Sequence, residues 1–257
     1  MAISDETADS RTSRPRALGE RLAWLREGAG LHRRADLTEL LDEAGVDRGE
    51  LDRNLRDLAR LNRLPGGTDA SIRAIRHLVR EREEVRVVDV GAGMADMALA
   101  FARHGWRTVA ADNHSQVLDR ARRATADEPL VEVIDGDGRA LPHADDELDV
   151  SHCSLLLHHL DPGDAVAVLR EMARVARHGV VINDLRRGVF PFVATGVTVA
   201  LLGRCRATRV DGLRSVRRAY TLGELDELLG EAGLEVRWQS NRFMPRVVTA
   251  AVSRTSG

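Results

Sequence analysis

The 257-residue chain contains no lysine: all 38 of its basic residues are arginine. Mechanisms that need a lysine, Schiff-base chemistry included, are therefore excluded. Cysteine is nearly as scarce. Cys153 and Cys205 form neither a disulfide framework nor a metal-ligand pattern. That usage suits a reducing compartment, so a cytoplasmic location and no metal site are the expectations. Aromatic residues make up 3% of the chain, with a single tyrosine, and platforms for stacking nucleic-acid bases are correspondingly sparse. The 38 basic and 40 acidic residues nearly cancel to a formal charge of −2, so no global field draws the protein to nucleic acid. Long apolar runs are missing too. The most apolar window, Val189 to Gly203, covers about fifteen residues against the roughly 20 that a bilayer crossing needs. It could still lie on a membrane surface or cover an apolar ligand.

What is present is the composition of a globular protein, with 43% apolar and 30% charged residues. Residues 1–16 are polar, with acidic side chains ahead of any apolar stretch, and read as a disordered lead with no signal peptide. Residues 17–84 carry helical spacing, seen in Leu18, Leu22 and Leu25 and again in Leu51, Leu55, Leu58 and Leu61. This segment is expected to form helices that serve as a lid or a dimer contact.

The texture changes at Val85. The runs VRVVDV, WRTVAAD, LVEVID, LDVSHCS and GVVINDL alternate with helical stretches near 94–104, 114–125 and 162–177. Such alternation specifies an α/β fold, a Rossmann-like doubly wound sheet with helices on both faces. Ligands of such sheets bind at the C-terminal ends of the strands, where the strand order reverses. The alternation breaks at about 186–220, a natural helical lid over that edge. It resumes with a helix near 221–232 and the closing strands LEVRWQ and PRVVTAAV. Residues 85–257 thus read as one domain with an insertion, mostly parallel with an antiparallel last strand.

Four features fall in order along this domain. After the first strand comes Asp89-Val90-Gly91-Ala92-Gly93, where glycines let the backbone turn sharply and approach a ligand. Asp112 ends the second strand, where a carboxylate can accept both hydroxyls of a ribose or cap the next helix. Gly136-Asp137-Gly138 ends the third and could meet an adenine amino group or simply turn the chain. The fourth runs from Asp149 through Ser151-His152-Cys153-Ser154 to His158-His159.

The segments VVDVGAGMAD, AADNHSQVLDRAR, IDGDGRALPHADDELDV and SLLLHHL resemble the successive motifs of class I S-adenosylmethionine (SAM)-dependent methyltransferases. They are most similar to the branch of ubiquinone- and menaquinone-biosynthesis-like and natural-product enzymes, over about residues 85–185. The resemblance implies SAM as cofactor, with S-adenosylhomocysteine as product. It further implies that Asp89, Gly91, Ala92 and Gly93 shape the loop around the methionine part and that Asp112 holds the ribose. Asn113 would flank the adenine, Asp137 and Gly138 would fix its edge, and Ser154 or Cys153 would line the floor beneath the sulfonium. The third glycine of the family pattern is Ala95 here.

If the acceptor is a phenol or enol, a base near neutral pKa helps to remove its proton. The candidates at the ligand edge are His152, His158, His159 and Asp184, with Tyr220 at the end of the lid. Arg186, Arg187 and Arg218 belong to an arginine-rich stretch that can grip an acidic or polyphenolic acceptor or simply form a solvated face. The stretch 184–221 is also similar to methyltransferases of bacterial polyketide pathways. The expected activity is methyl transfer to oxygen or carbon of a phenolic, quinone-like or polyketide small molecule in bacterial secondary metabolism, by a possible homodimer. The alternatives are a SAM-binding enzyme that does not methylate, a cyclase for instance, a regulatory nucleotide-binding module, an NAD-dependent enzyme, or an RNA methyltransferase.

Overall fold

In a computed structural model of the chain, the described residues are 67–80, 82–240 and 244–254, with positions 31, 33–37, 49, 53, 54, 56, 57, 60 and 61. The lead at 1–16 and most of residues 17–66 of the helical segment expected for 17–84 lie outside them. Seven strands form one sheet, β1 (Arg86–Val90), β2 (Arg107–Asp112), β3 (Val131–Asp135), β4 (Val150–Ser154), β5 (Val180–Leu185), β6 (Leu234–Gln239) and β7 (Arg246–Ser253). Their order is β3-β2-β1-β4-β5-β7-β6. β1 to β5 pair in parallel, while β7 runs antiparallel to both β5 and β6. This is the mixed sheet expected from the alternating pattern.

Successive side chains on a strand point to opposite faces, and both faces are covered. On one face Val87, Val150, Val181 and Val248 pack against Ile72 and Ile75 of α1 (Thr68–Val79) and Met97 and Phe101 of α2 (Asp96–Ala102). α3 (Ser115–Ala124) joins this layer through Ala121. On the other face Val88, Val90, Ile182 and Val247 meet Leu169 and Met172 of α4 (Pro162–Val175) and Leu225 and Leu229 of α7 (Leu222–Glu231). Double coverage explains why the central strands read as near-continuous apolar runs.

The placement of α1 differs from the sequence reading. Helical spacing before Val85 suggests a lid or dimer segment, yet α1 buries Ile72, Ala74, Ile75 and Val79 against the sheet itself. Val181 and Val248 share this cluster, so the helix packs as part of the layer that covers the sheet.

Helix starts follow local chemistry. α4 opens with Pro162 in its first turn, where a missing N–H costs nothing. α7 opens with a capping box, in which Thr221 Oγ1 accepts from the Glu224 N–H and the Glu224 carboxylate accepts from the Thr221 N–H. The break at 186–220 is a helical pair, α5 (Val189–Leu202) and α6 (Arg206–Arg218). The two pack closely at Gly212, where a Cβ would stand 2.9 Å from Val199 Cγ1. Phe192, Leu213 and Val216 form their shared core with Leu185 and Leu31.

Candidate active site

Parallel strands bring the C-terminal ends of β1, β2, β4 and β5 to one edge. Antiparallel β7 brings its first residue there, with Arg246 paired to Leu185. β1 and β4 are neighbours whose outward connections run in opposite directions, which opens a crevice between them.

The chain leaves β1 through Gly91 (φ +67°) and Gly93 (φ +55°), left-handed conformations that glycine adopts without strain. The two differ in surroundings. A Cβ at Gly91 would stand 2.8 Å from Leu156 Cδ1, whereas one at Gly93 would meet nothing within 4 Å. Gly91 therefore sits beneath the Leu156 side chain, and Gly93 presents an open side. Ala95, the replaced third glycine, sits at φ +60° all the same, at a cost of roughly 1–2 kcal/mol. Ala92 is buried in a small alanine cluster beside it.

Asp112 ties two loops together. Its Oδ2 accepts from the Gly93 N–H and its Oδ1 from the His114 N–H, both at 2.9 Å. Asn113 is exposed beside it. Asp137 is held by Arg139, whose guanidinium Nη2 lies 2.8 Å from Oδ2 and lowers the carboxyl's pKa. A Cβ on Gly138 would meet Val90 Cγ1 at 2.7 Å, so this glycine lets its turn press onto β1.

Asp89 and His152 are brought together inside the sheet domain. His152 Nδ1 is 2.7 Å from Asp89 Oδ1, and its Nε2 is 2.9 Å from Ser71 Oγ. Asn183 Nδ2 donates to the same Ser71 Oγ and to the Gly67 carbonyl. This polar chain joins β1, β4 and β5 to α1. Burial pushes the Asp89 carboxyl up, and the hydrogen bond and charge of His152 offset only part of that rise. Asp89 Oδ2 remains buried without a hydrogen-bond partner among the described residues.

At the end of β4 the residues diverge. Cys153 packs in the apolar core, where burial raises its thiol pKa well above the usual value. Ser154 Oγ accepts from Arg246 Nη2 at 2.8 Å. Leu155 then adopts φ +54°, a strained backbone of the kind that clusters at functional sites. It leads into a 3₁₀ turn, Leu157–His159.

That turn sets His158 against the end of β5. His158 Nδ1 lies 2.6 Å from Asp184 Oδ1, and its N–H donates to Asp184 Oδ2. Burial raises the Asp184 carboxyl, but the charge and hydrogen bond of His158 and the Leu185 N–H outweigh it and hold the group below its usual range. The His159 ring lies 4.2 Å from that of His158, centroid to centroid.

The remaining candidates are braces. Tyr220 Oη donates to the Leu160 carbonyl at 2.7 Å. Arg218 Nη2 donates to the His159 carbonyl. Arg187 is buried, paired with Glu224 and donating to the Ala219 and Leu31 carbonyls. Its guanidinium is committed to the fold, a correction to the expectation of substrate contact. Arg186 is half-buried beside β7, its N–H donating to the Pro245 carbonyl.

Two residues escaped the sequence reading. Arg34 donates to the carbonyls of His158, Leu160 and Arg218 and lies over the Tyr220 ring; nothing local in the sequence marks it. Arg246 is buried between Ser154 and the charge of Asp184, with burial pushing its pKa down to about 10. Its signal is a lone charged residue opening a strand that carries no other charge. Among the described residues no group of three or more His, Cys, Asp or Glu side chains is placed to hold a metal ion.

Residues 87–179 match the family described as "Methyltransferase domain". The demethylmenaquinone methyltransferase of Mycobacterium marinum is 37% identical over 125 residues, covering 48% of this chain and 51% of that one. The uncharacterized methyltransferase YcgJ of Bacillus subtilis is 33% identical over 99 residues, 37% of this chain and 38% of that protein. The chain spans about half the length of these curated relatives, or less. A solved SAM-dependent methyltransferase from Aquifex aeolicus superposes with a TM-score of 0.57 at 17% identity, over 79% of this chain and 97% of that one. This last likeness is one of fold.

Proposed function

We propose that the chain is a class I SAM-dependent methyltransferase that methylates an oxygen or carbon atom of a small molecule of phenolic, quinone-like or polyketide character. The observation that carries the reading is the His158–Asp184 pair at the C-terminal edge of β4 and β5, on a loop whose Leu156 packs against Gly91.

The residues fit SAM on three counts. Gly93 offers an open approach, Asp89 Oδ2 is an unused buried acceptor at the base of the loop, and Asp112 stands at the end of β2 with lone pairs beyond the two it commits. Gly91, Ala92 and Gly93 would pass around the methionine part, Asp112 would take the ribose hydroxyls, and Asn113, Asp137 and Gly138 would border the adenine. Ser154, fixed by Arg246, would line the floor. SAM, when bound, supplies an electrophilic methyl group on a positively charged sulfur.

The chain's own contribution is alignment and a base. Holding two reactants in line removes several kcal/mol of entropic barrier. Asp184, kept ionised, orients the His158 ring with its proton on Nδ1. Nε2 is then the basic nitrogen for the acceptor's hydroxyl proton. Tyr220 and Arg218 hold the carbonyls of the His158 turn, and Arg246 supplies a buried positive charge toward an acceptor oxygen that becomes anionic.

Calorimetric titration with SAM, S-adenosylhomocysteine and NAD tests the cofactor, and formation of S-adenosylhomocysteine with phenolic and quinone acceptors tests the reaction. Micromolar binding of the first two, lost in Asp112→Ala, is expected. Binding of NAD alone, or SAM binding without turnover on any acceptor, overturns the reading.

A further inference from the structure

Helix α5 carries six of the seven exposed large hydrophobic residues among those described, so they form a patch rather than a scatter. Phe190, Val193, Val197 and Leu201 recur at three- and four-residue spacing, which places them on one side, with Val189 and Leu202 at its ends. Leu201 is 77% exposed and Val189 72%. The opposite side, Phe192, Gly196 and Val199, is buried in the helical pair.

The exposed charges that the chain places beside this patch have one sign; Asp57, whose carboxylate accepts from the Arg204 and Cys205 N–H groups, is buried. No Asp or Glu occurs from Leu185 to Val210. Arg204, Arg206 and Arg209 stand exposed just beyond the helix end, and the next acid, Asp211, is buried. We infer that α5 docks on an anionic lipid surface, laying its apolar stripe into the acyl boundary while these arginines meet the headgroups. Apolar area and electrostatic attraction to anionic lipid act together in such binding. A second copy of the chain is a poorer occupant, because a two-fold contact brings the same patch together twice and the patch has no carboxylate to meet its own arginines. The helix has 14 residues, too few to span the bilayer, so the contact is peripheral. This inference does not depend on methyl transfer.

Flotation of the purified full chain with phosphatidylcholine vesicles, with and without phosphatidylglycerol, tests it. The chain should float with the anionic vesicles and be released by high salt. Leu201→Asp should weaken binding roughly tenfold or more, and Arg204→Gln and Arg206→Gln roughly fivefold each. Thermal unfolding of each variant should match the parent, showing that the fold is intact. Equal binding to neutral vesicles, or no flotation at all, overturns the inference. So does a concentration-dependent dimer that Val197→Asp splits, since the stripe would then cover a second copy.

Discussion

His158 Nδ1 and Asp184 Oδ1 stand 2.6 Å apart although one lies in the turn after β4 and the other in β5, 26 residues from one another. Asp184 is the penultimate residue of β5 and His158 sits in the turn after β4, so the pairing exists only because these strands are neighbours. Replacing Asp184 by Asn keeps the shape and removes the charge that fixes the imidazole. Turnover with a hydroxyl acceptor is expected to fall about 100-fold or more, while SAM affinity stays unchanged. Parallel measurement of S-adenosylhomocysteine formation and SAM titration separates the two, and unchanged turnover would remove His158 from the base role.

The loop glycines should respond differently to the same change. Gly91→Ala imposes left-handed strain and a clash with Leu156, so both thermal stability and SAM binding drop. Gly93→Ala meets open space. Its stability loss is then limited to the strain of roughly 1–2 kcal/mol, and the larger effect falls on SAM affinity. Equal losses of affinity and stability in both variants would contradict the assignment of Gly93's open side to a ligand.

Ser71→Ala removes the hydroxyl shared by His152 and Asn183. Asn183 keeps the Gly67 carbonyl, but His152 Nε2 is left buried and unpaired. A destabilisation of about 1–3 kcal/mol is expected, measured by urea unfolding. Because the same chain holds Asp89, SAM affinity should weaken as well.

The Arg187–Glu224 pair has a signature in acid. Burial raises the Glu224 carboxyl, but the Thr221 N–H and the Arg187 guanidinium outweigh it and lower its pKa from 4.5. A carboxylate with a depressed folded value stabilises the protein above its unfolded value, and that contribution is lost as pH falls through the folded one. Glu224→Gln should therefore unfold more readily at neutral pH and show a shallower loss of stability below about pH 4.5. Melting temperature against pH, compared with the parent, reads both effects.

The sheet was legible from Val85 onward because buried parallel strands leave short β-branched runs between helices. Asp89 and His152 were legible as residues but not as partners, since β1 and β4 meet through a crossover that spacing along the chain does not reveal. The position of α1 was hidden for a related reason: an amphipathic helix announces that it has an apolar side, not which surface receives it. Arg187 and Arg218 looked like a ligand-gripping cluster because guanidinium groups bind backbone carbonyls and carboxylates with the same fork they would offer a substrate. Only their neighbours in space distinguish the two uses. Arg34 could not be found at all, lying more than 120 residues from the carbonyls of the turn it braces.

Arg187 fastens three parts of the chain at one point: Leu31, Ala219 at the end of α6, and Glu224 at the start of α7. A shared fastening removes independent motion. If the helical pair swings to admit an acceptor, the segment at Leu31 must let go in the same event, and the guanidinium must exchange all its partners at once. Displacing the helical pair from α7 would therefore break the ion pair and both carbonyl hydrogen bonds together, and not one after another.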